Sequence, residues 1–151
     1  MTPKIMLVRH GRSAHVQRGL LGLAEFHRWR EAYESAGIDE EEQPPPSLQA
    51  LASASGIVVA STALRAVRSA ELLDGDRDIV TSPLLAELEL SPPNFARLRM
   101  PLGGWALACG VRRAVRAETP MELRRAREAA EWLTDLANRH EALAPLERLV
   151  V

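Results

Sequence analysis

Four short apolar runs punctuate this chain: Lys4 to Val8, Gly56 to Ala60, Asp78 to Thr81 and Leu146 to Val151. Longer stretches whose apolar residues recur at helical spacing separate them. No other feature narrows the fold as far. Strands that alternate with helices imply an α/β fold, here a three-layer sandwich with a mainly parallel sheet. A continuous apolar run such as Ile5 to Val8 predicts a strand buried on both faces. With 151 residues the chain fits one domain, 1–151. A domain of this size buries about 70% of its unfolded surface and needs no disulfide or metal staple.

Between the strands, Ala14 to Gly37 reads as mostly helical, with Leu20, Leu23, Phe26, Arg30 and Tyr33 at helical spacing and Gly37 as the stop. Asp39 to Pro46 is an acidic, proline-ended connector. Ser47 to Ala54 predicts a helix capped by Ser47, and Ser61-Thr62 caps another from Ala63 to about Leu73. Asp74 to Asp76 reads as a turn and Pro83 to Leu90 as extended or loop-like. Pro92-Pro93-Asn94 interrupts regular structure. Gly104 to Arg116 predicts a helix. Thr119-Pro120-Met121-Glu122 starts another, with threonine at the N-cap and proline in the first turn, running to about Arg139. Trp29, Trp105 and Trp132 occupy helical positions and are expected to pack the core.

Hydrophobic residues make up 46% of the chain and charged residues 26%, values of an ordinary soluble globular protein. The net charge of −1 supplies no global basic field, so neither nucleic acid nor an anionic membrane is an expected partner. The apolar runs Ile5 to Val8 and Leu102 to Val111 are too short for a signal peptide or a bilayer span. Cys109 is the single cysteine, which excludes an internal disulfide and fits a reducing, cytoplasmic compartment. His10, His15, His27 and His140 show no metal-ligand spacing, so no metal and no cofactor is expected.

Chemistry concentrates after the strands. Arg9-His10-Gly11-Arg12 follows the first run directly, and active sites of open α/β sheets lie at the carboxyl ends of their strands. Arg9 and Arg12 suit phosphate oxygens, Gly11 permits close backbone approach, and a neutral His10 imidazole can attack phosphorus. A solvated basic turn explains that tetrapeptide equally well when it is read alone. Arg65 repeats the geometry on the first turn of the helix after the second run, although surface arginines occupy such positions too. Glu87, in Leu85-Ala86-Glu87, would protonate a leaving alcohol if burial beside an anion held its proton, and would otherwise be a solvent-facing acid.

In this order the three pieces resemble the histidine phosphatase superfamily, or phosphoglycerate mutase-like family, over Lys4 to Val151. Met6-Leu7-Val8-Arg9-His10-Gly11 is similar to its strand-RHG opening. Ser61 to Ala70 is similar to its S-x-x-x-R-A-x-x-T-A segment, with Ser69 for threonine. Leu85-Ala86-Glu87 is similar to its L-x-E segment, followed here by Ser91-Pro92-Pro93-Asn94 instead of glycine-tryptophan. The resemblance implies a phosphomonoester hydrolase acting on a small-molecule phosphate ester. A phosphohistidine would form at His10, Arg9 and Arg65 would hold the phosphoryl group, and Glu87 would be the acid, without metal or cofactor.

The family's second histidine follows its last core strand, and the chain stops within Leu146 to Val151, the run that looks like that strand. A C-terminally incomplete or degenerate member is therefore the expectation. The alternative function is a non-catalytic domain that binds phosphorylated ligands.

Overall fold

The computed structural model describes residues 5–39, 41–75, 77–87, 90–116, 120–141 and 148–150. It is mixed α/β. The elements run β1 (Ile5–Leu7), α1 (Leu23–Ser35), α2 (Pro46–Ala54), β2 (Val58–Ser61), α3 (Leu64–Asp74), β3 (Val80–Ser82), α4 (Leu102–Arg116), α5 (Pro120–Glu141) and β4 (Arg148–Val150). The four strands form one sheet in the order β1-β4-β2-β3, and every pairing is parallel. Val150 lies level with Leu7 on one side and Val59 on the other, while Ser61 pairs with Ser82. The strand ends of β1, β2 and β3 thus open on the same side of the sheet.

Alternation along β2 divides the core. Val58 and Ala60 face Ala52 of α2 and Ala66, Ala70 and Leu73 of α3. Alanines at those helix positions let the helix backbones come close to the strand. Ile57 and Val59 point the other way, where Trp132, Leu133 and Leu136 of α5 pack with Val80 and Leu85. All four residues of β2 are buried, as an apolar run covered on both faces requires. β1 departs from that expectation. It is an edge of the described sheet, and Leu7 is 77% exposed, because no described helix covers that side.

A second core joins α1 to α4. Leu21, Phe26, Trp29, Trp105 and Cys109 are buried together, and the Trp105 indole N–H donates to the Leu21 carbonyl at 2.8 Å. Burial pushes the Cys109 thiol up from its ordinary pKa, so it stays protonated at neutral pH.

The helix expected over 14–37 begins only at Leu23. Upstream, backbone groups pair across the fold instead of along a helix: Ser13 bridges Ile38, and Leu21 bridges Met100 in antiparallel fashion. Gly19 adopts φ +86°, a left-handed conformation that a helix cannot continue through. The actual start is set by Glu25, whose carboxylate accepts from the Gly22 N–H at 2.6 Å.

Ser47 does not cap α2. Pro45 is the N-cap and Pro46 opens the helix, where a proline's missing N–H costs nothing. The other end of α2 is closed by Ser55 in place of a glycine, and the Arg77 guanidinium donates to the carbonyls of Ser53, at 2.6 Å, and Ser55. α4 starts at Leu102, two residues earlier than expected, and α5 ends at Glu141, two residues later. The expected turn residue Asp76, the cap Thr119 and the strand residues Lys4, Leu146, Glu147 and Val151 lie outside the described residues. No helix among the described residues is long and apolar enough to cross a membrane.

Candidate active site

Three strand ends deliver three side chains to one place. His10 follows β1, Arg65 occupies the first turn of α3 after β2, and Glu87 follows β3 and the 3₁₀ turn Pro83–Leu85. The Arg65 Nε donates to His10 Nε2 at 3.2 Å, and its Nη2 donates to Glu87 Oε2 at 2.9 Å. Glu87 Oε1 lies 3.5 Å from His10 Nε2. These residues were selected from separate segments, and their side chains meet.

The tautomer of His10 follows from its other nitrogen. Nδ1 lies 2.7 Å from the carbonyl oxygen of Gly11. A carbonyl only accepts, so Nδ1 carries the proton and Nε2 presents its lone pair. That lone pair accepts from the Arg65 Nε–H, and Nε2 is the atom available for nucleophilic attack.

Arg65 is 4% exposed, a rare state for an arginine unless its donors are satisfied. Besides His10 and Glu87, it donates from Nη1 to the Tyr33 carbonyl at 3.3 Å. Its guanidinium carbon stands 4.3 Å above the Tyr33 ring centroid, a cation–π contact. The Tyr33 hydroxyl lies 3.5 Å from His10 Nε2.

Ser69, one turn after Arg65, ties the two strand ends together. Its hydroxyl accepts from the Gly11 N–H at 2.8 Å and donates to the Arg65 carbonyl at 2.7 Å. Gly11 itself is not at a left-handed φ. A Cβ there would sit 3.6 Å from Ser69 Oγ and 3.7 Å from Ile38, ordinary contacts. Its nearest neighbours on that side are Ser69 of α3 and Ile38.

Glu87 departs from its expected setting too. It is 61% exposed and ion-paired with Arg65, so the burial invoked for a proton-holding acid is absent. Arg9 and Arg12 are exposed, and neither guanidinium has a partner among the described residues. Among the described residues no side-chain hydrogen bond or ion pair joins them to His10, Arg65 or Glu87. Both line an adjoining open cleft of about 580 Å³ together with His10, Trp29, Tyr33 and Leu102. His15 also borders this cleft, and its ring stacks on Trp29 at 6.3 Å.

Sequence reasoning missed Tyr33 as a site residue. Its helical spacing with Phe26 and Trp29 marks only an inward face, and nothing in the pattern says that this face reaches His10. Among the described residues no group of three or more histidine, cysteine or acidic side chains could hold a metal ion. Comparison with protein-family models, with curated proteins and with solved structures returned no match for this chain.

Proposed function

We propose that the chain is a phosphomonoester hydrolase of histidine phosphatase type, with the three-layer, phosphoglycerate mutase-like architecture that its parallel strand order suggests. The observation that carries the reading is the meeting of His10 Nε2, Arg65 and Glu87 at the ends of three parallel strands. In the proposed reaction the Nε2 lone pair forms a bond to the phosphorus of a small phosphate ester. The ester P–O bond breaks and its electron pair leaves with the alkoxide oxygen, which takes a proton that Glu87 gains from solvent once the incoming phosphate anion displaces its carboxylate from Arg65. Water then attacks phosphorus, returns a proton to Glu87, and the N–P bond breaks to release inorganic phosphate. Arg65 takes the charge that spreads over the phosphoryl oxygens. Arg9 and Arg12, which line the cleft, supply positive charge to draw the anion in. Such a reaction needs no metal or cofactor, and the lone Cys109 suits a cytoplasmic setting.

The test is hydrolysis of an aryl phosphate by the parent chain and by His10→Ala, with an acid-labile phosphoryl label sought on His10. Hydrolysis that persists in His10→Ala sinks the proposal.

One observation favours the second reading, a domain that binds phosphorylated ligands without turning them over. Among the described residues, the side chains against His10 Nε2 are Arg65, Tyr33 and Glu87, and a second imidazole is not one of them. Phosphate binding without hydrolysis would support that reading. β4 lies between β1 and β2, so a histidine-glycine turn attached after it would enter the site between His10 and Arg65. Adding one should raise turnover by about 10²–10³ on the hydrolase reading, the worth of one charge-stabilising donor. On the binding reading it changes nothing.

A further inference from the structure

Tyr33 is held more firmly than a surface helix side chain. Its ring stacks on Trp29 at 5.1 Å, Trp29 stacks on Phe26 at 5.6 Å, and Phe26 stacks on the fully buried Trp105 at 5.2 Å. The Arg65 guanidinium carbon stands 4.3 Å from the same ring's centroid. Contacts to an aromatic row and to a cation restrain the ring, and its hydroxyl lies 3.5 Å from His10 Nε2. With Nδ1 protonated, Nε2 can only accept, so the phenol is the donor of that pair.

We infer that the Tyr33 hydroxyl is a phosphoryl-contacting donor of this site, a second neutral partner to the charge of Arg65. The inference rests on the hydrolase reading above and deepens it. In the resting protein the phenol O–H and the Arg65 Nε–H share the His10 Nε2 lone pair as acceptor. A phosphoryl group bonded to Nε2 consumes that lone pair. Both donors would then lose that protein acceptor. The phosphoryl oxygens arrive at the same position and accept from both. The donors are therefore set for the phosphorylated state before it forms, and they lose nothing on reaching it. This places part of the anion-binding work on α1, an element outside the strand-end motifs.

The experiment is calorimetric titration with inorganic phosphate, the product and a mimic of the bound group, on the parent chain, Tyr33→Phe and Arg65→Gln, with a thermal melt of each. Phenylalanine keeps the ring over Arg65 and against Trp29, so Tyr33→Phe should melt within a degree or two of the parent. Its phosphate affinity should fall about ten-fold, as for a lost hydrogen bond to a charged group. Unchanged affinity in Tyr33→Phe, with loss in Arg65→Gln, overturns the role of Tyr33 and leaves the hydrolase reading standing. Weakened affinity accompanied by a markedly lower melting temperature assigns Tyr33 a structural role and also overturns the inference. No phosphate binding by the parent chain at millimolar concentration overturns both.

Discussion

Replacing Ser69 with alanine tests whether the His10 loop and α3 are coupled by one hydroxyl. Ser69 is 7% exposed, and its Oγ is the acceptor for the Gly11 N–H and a donor to the Arg65 carbonyl. The two bonds are not equivalent. The Arg65 carbonyl keeps its helical partner when the hydroxyl goes, whereas the Gly11 N–H loses its acceptor. An orphaned donor costs about 1–3 kcal/mol, and the partial exposure of Gly11 to water puts this case in the lower half of that range. Alanine is a better helix former than serine by about 0.5 kcal/mol, which offsets part of the loss. The net expectation is a destabilisation of about 1 kcal/mol, or a fall of about 2–4 °C in melting temperature for a domain of this size. Urea denaturation read by tryptophan fluorescence measures the first, and calorimetry the second. Ser69→Thr keeps the hydroxyl and should recover most of the loss. A Ser69→Ala protein as stable as the parent, with phosphate affinity intact, would show that the loop holds its geometry without this bond.

The acid limb of the stability curve should depend on Glu25. Its bond from the Gly22 N–H and its contact with Arg99 hold its carboxyl below the ordinary value, so its contribution is present above the unfolded-state pKa and fades as pH falls through the folded one. Urea midpoints between pH 7 and 3 should therefore drop less steeply in Glu25→Gln. Cys109 should resist thiol reagents in the native protein and titrate fully in denaturant, because its thiol is buried and protonated. Trp105→Ala should cost about 3–5 kcal/mol, read by urea unfolding, since it empties a fully buried site and removes the indole donor from the Leu21 carbonyl, which keeps only the Met100 N–H.

Strand ends were the readable part of this molecule. A short apolar run followed by a polar turn places the next residues at a sheet edge, and the positions of His10, Arg65 and Glu87 follow from that local grammar. Their mutual contacts follow from all three strands being parallel. The helix before Leu23 was misread because Leu20 and Leu23 continue the spacing of α1. The glycines at 19 and 22, with Glu25 placed to close on Gly22, are local signals that outweigh it. Ser47 looked like a cap because serine favours that role, but Pro46 had already fixed the helical φ one residue earlier. Glu87 was legible in position and not in environment: exposure depends on what packs over a loop, which no local pattern records. The roles of Tyr33, Ser69 and Arg77 are all long-range contacts to backbone or ring, and residue type alone does not select their partners.

The place of β4 governs when this site can exist. It is the last of the four strands in chain order, yet it separates β1 from β2 in the sheet. A ribosome adding about 5–20 residues per second therefore releases β1, β2 and β3 well before the strand that spaces them. During that interval β1 and β2 lack their common neighbour, and their edges stay open to mispairing. Such distant pairings also slow folding, because the loop must close before any contact rewards it. The pocket around His10 thus waits on β4, which must insert between two strands synthesised before it.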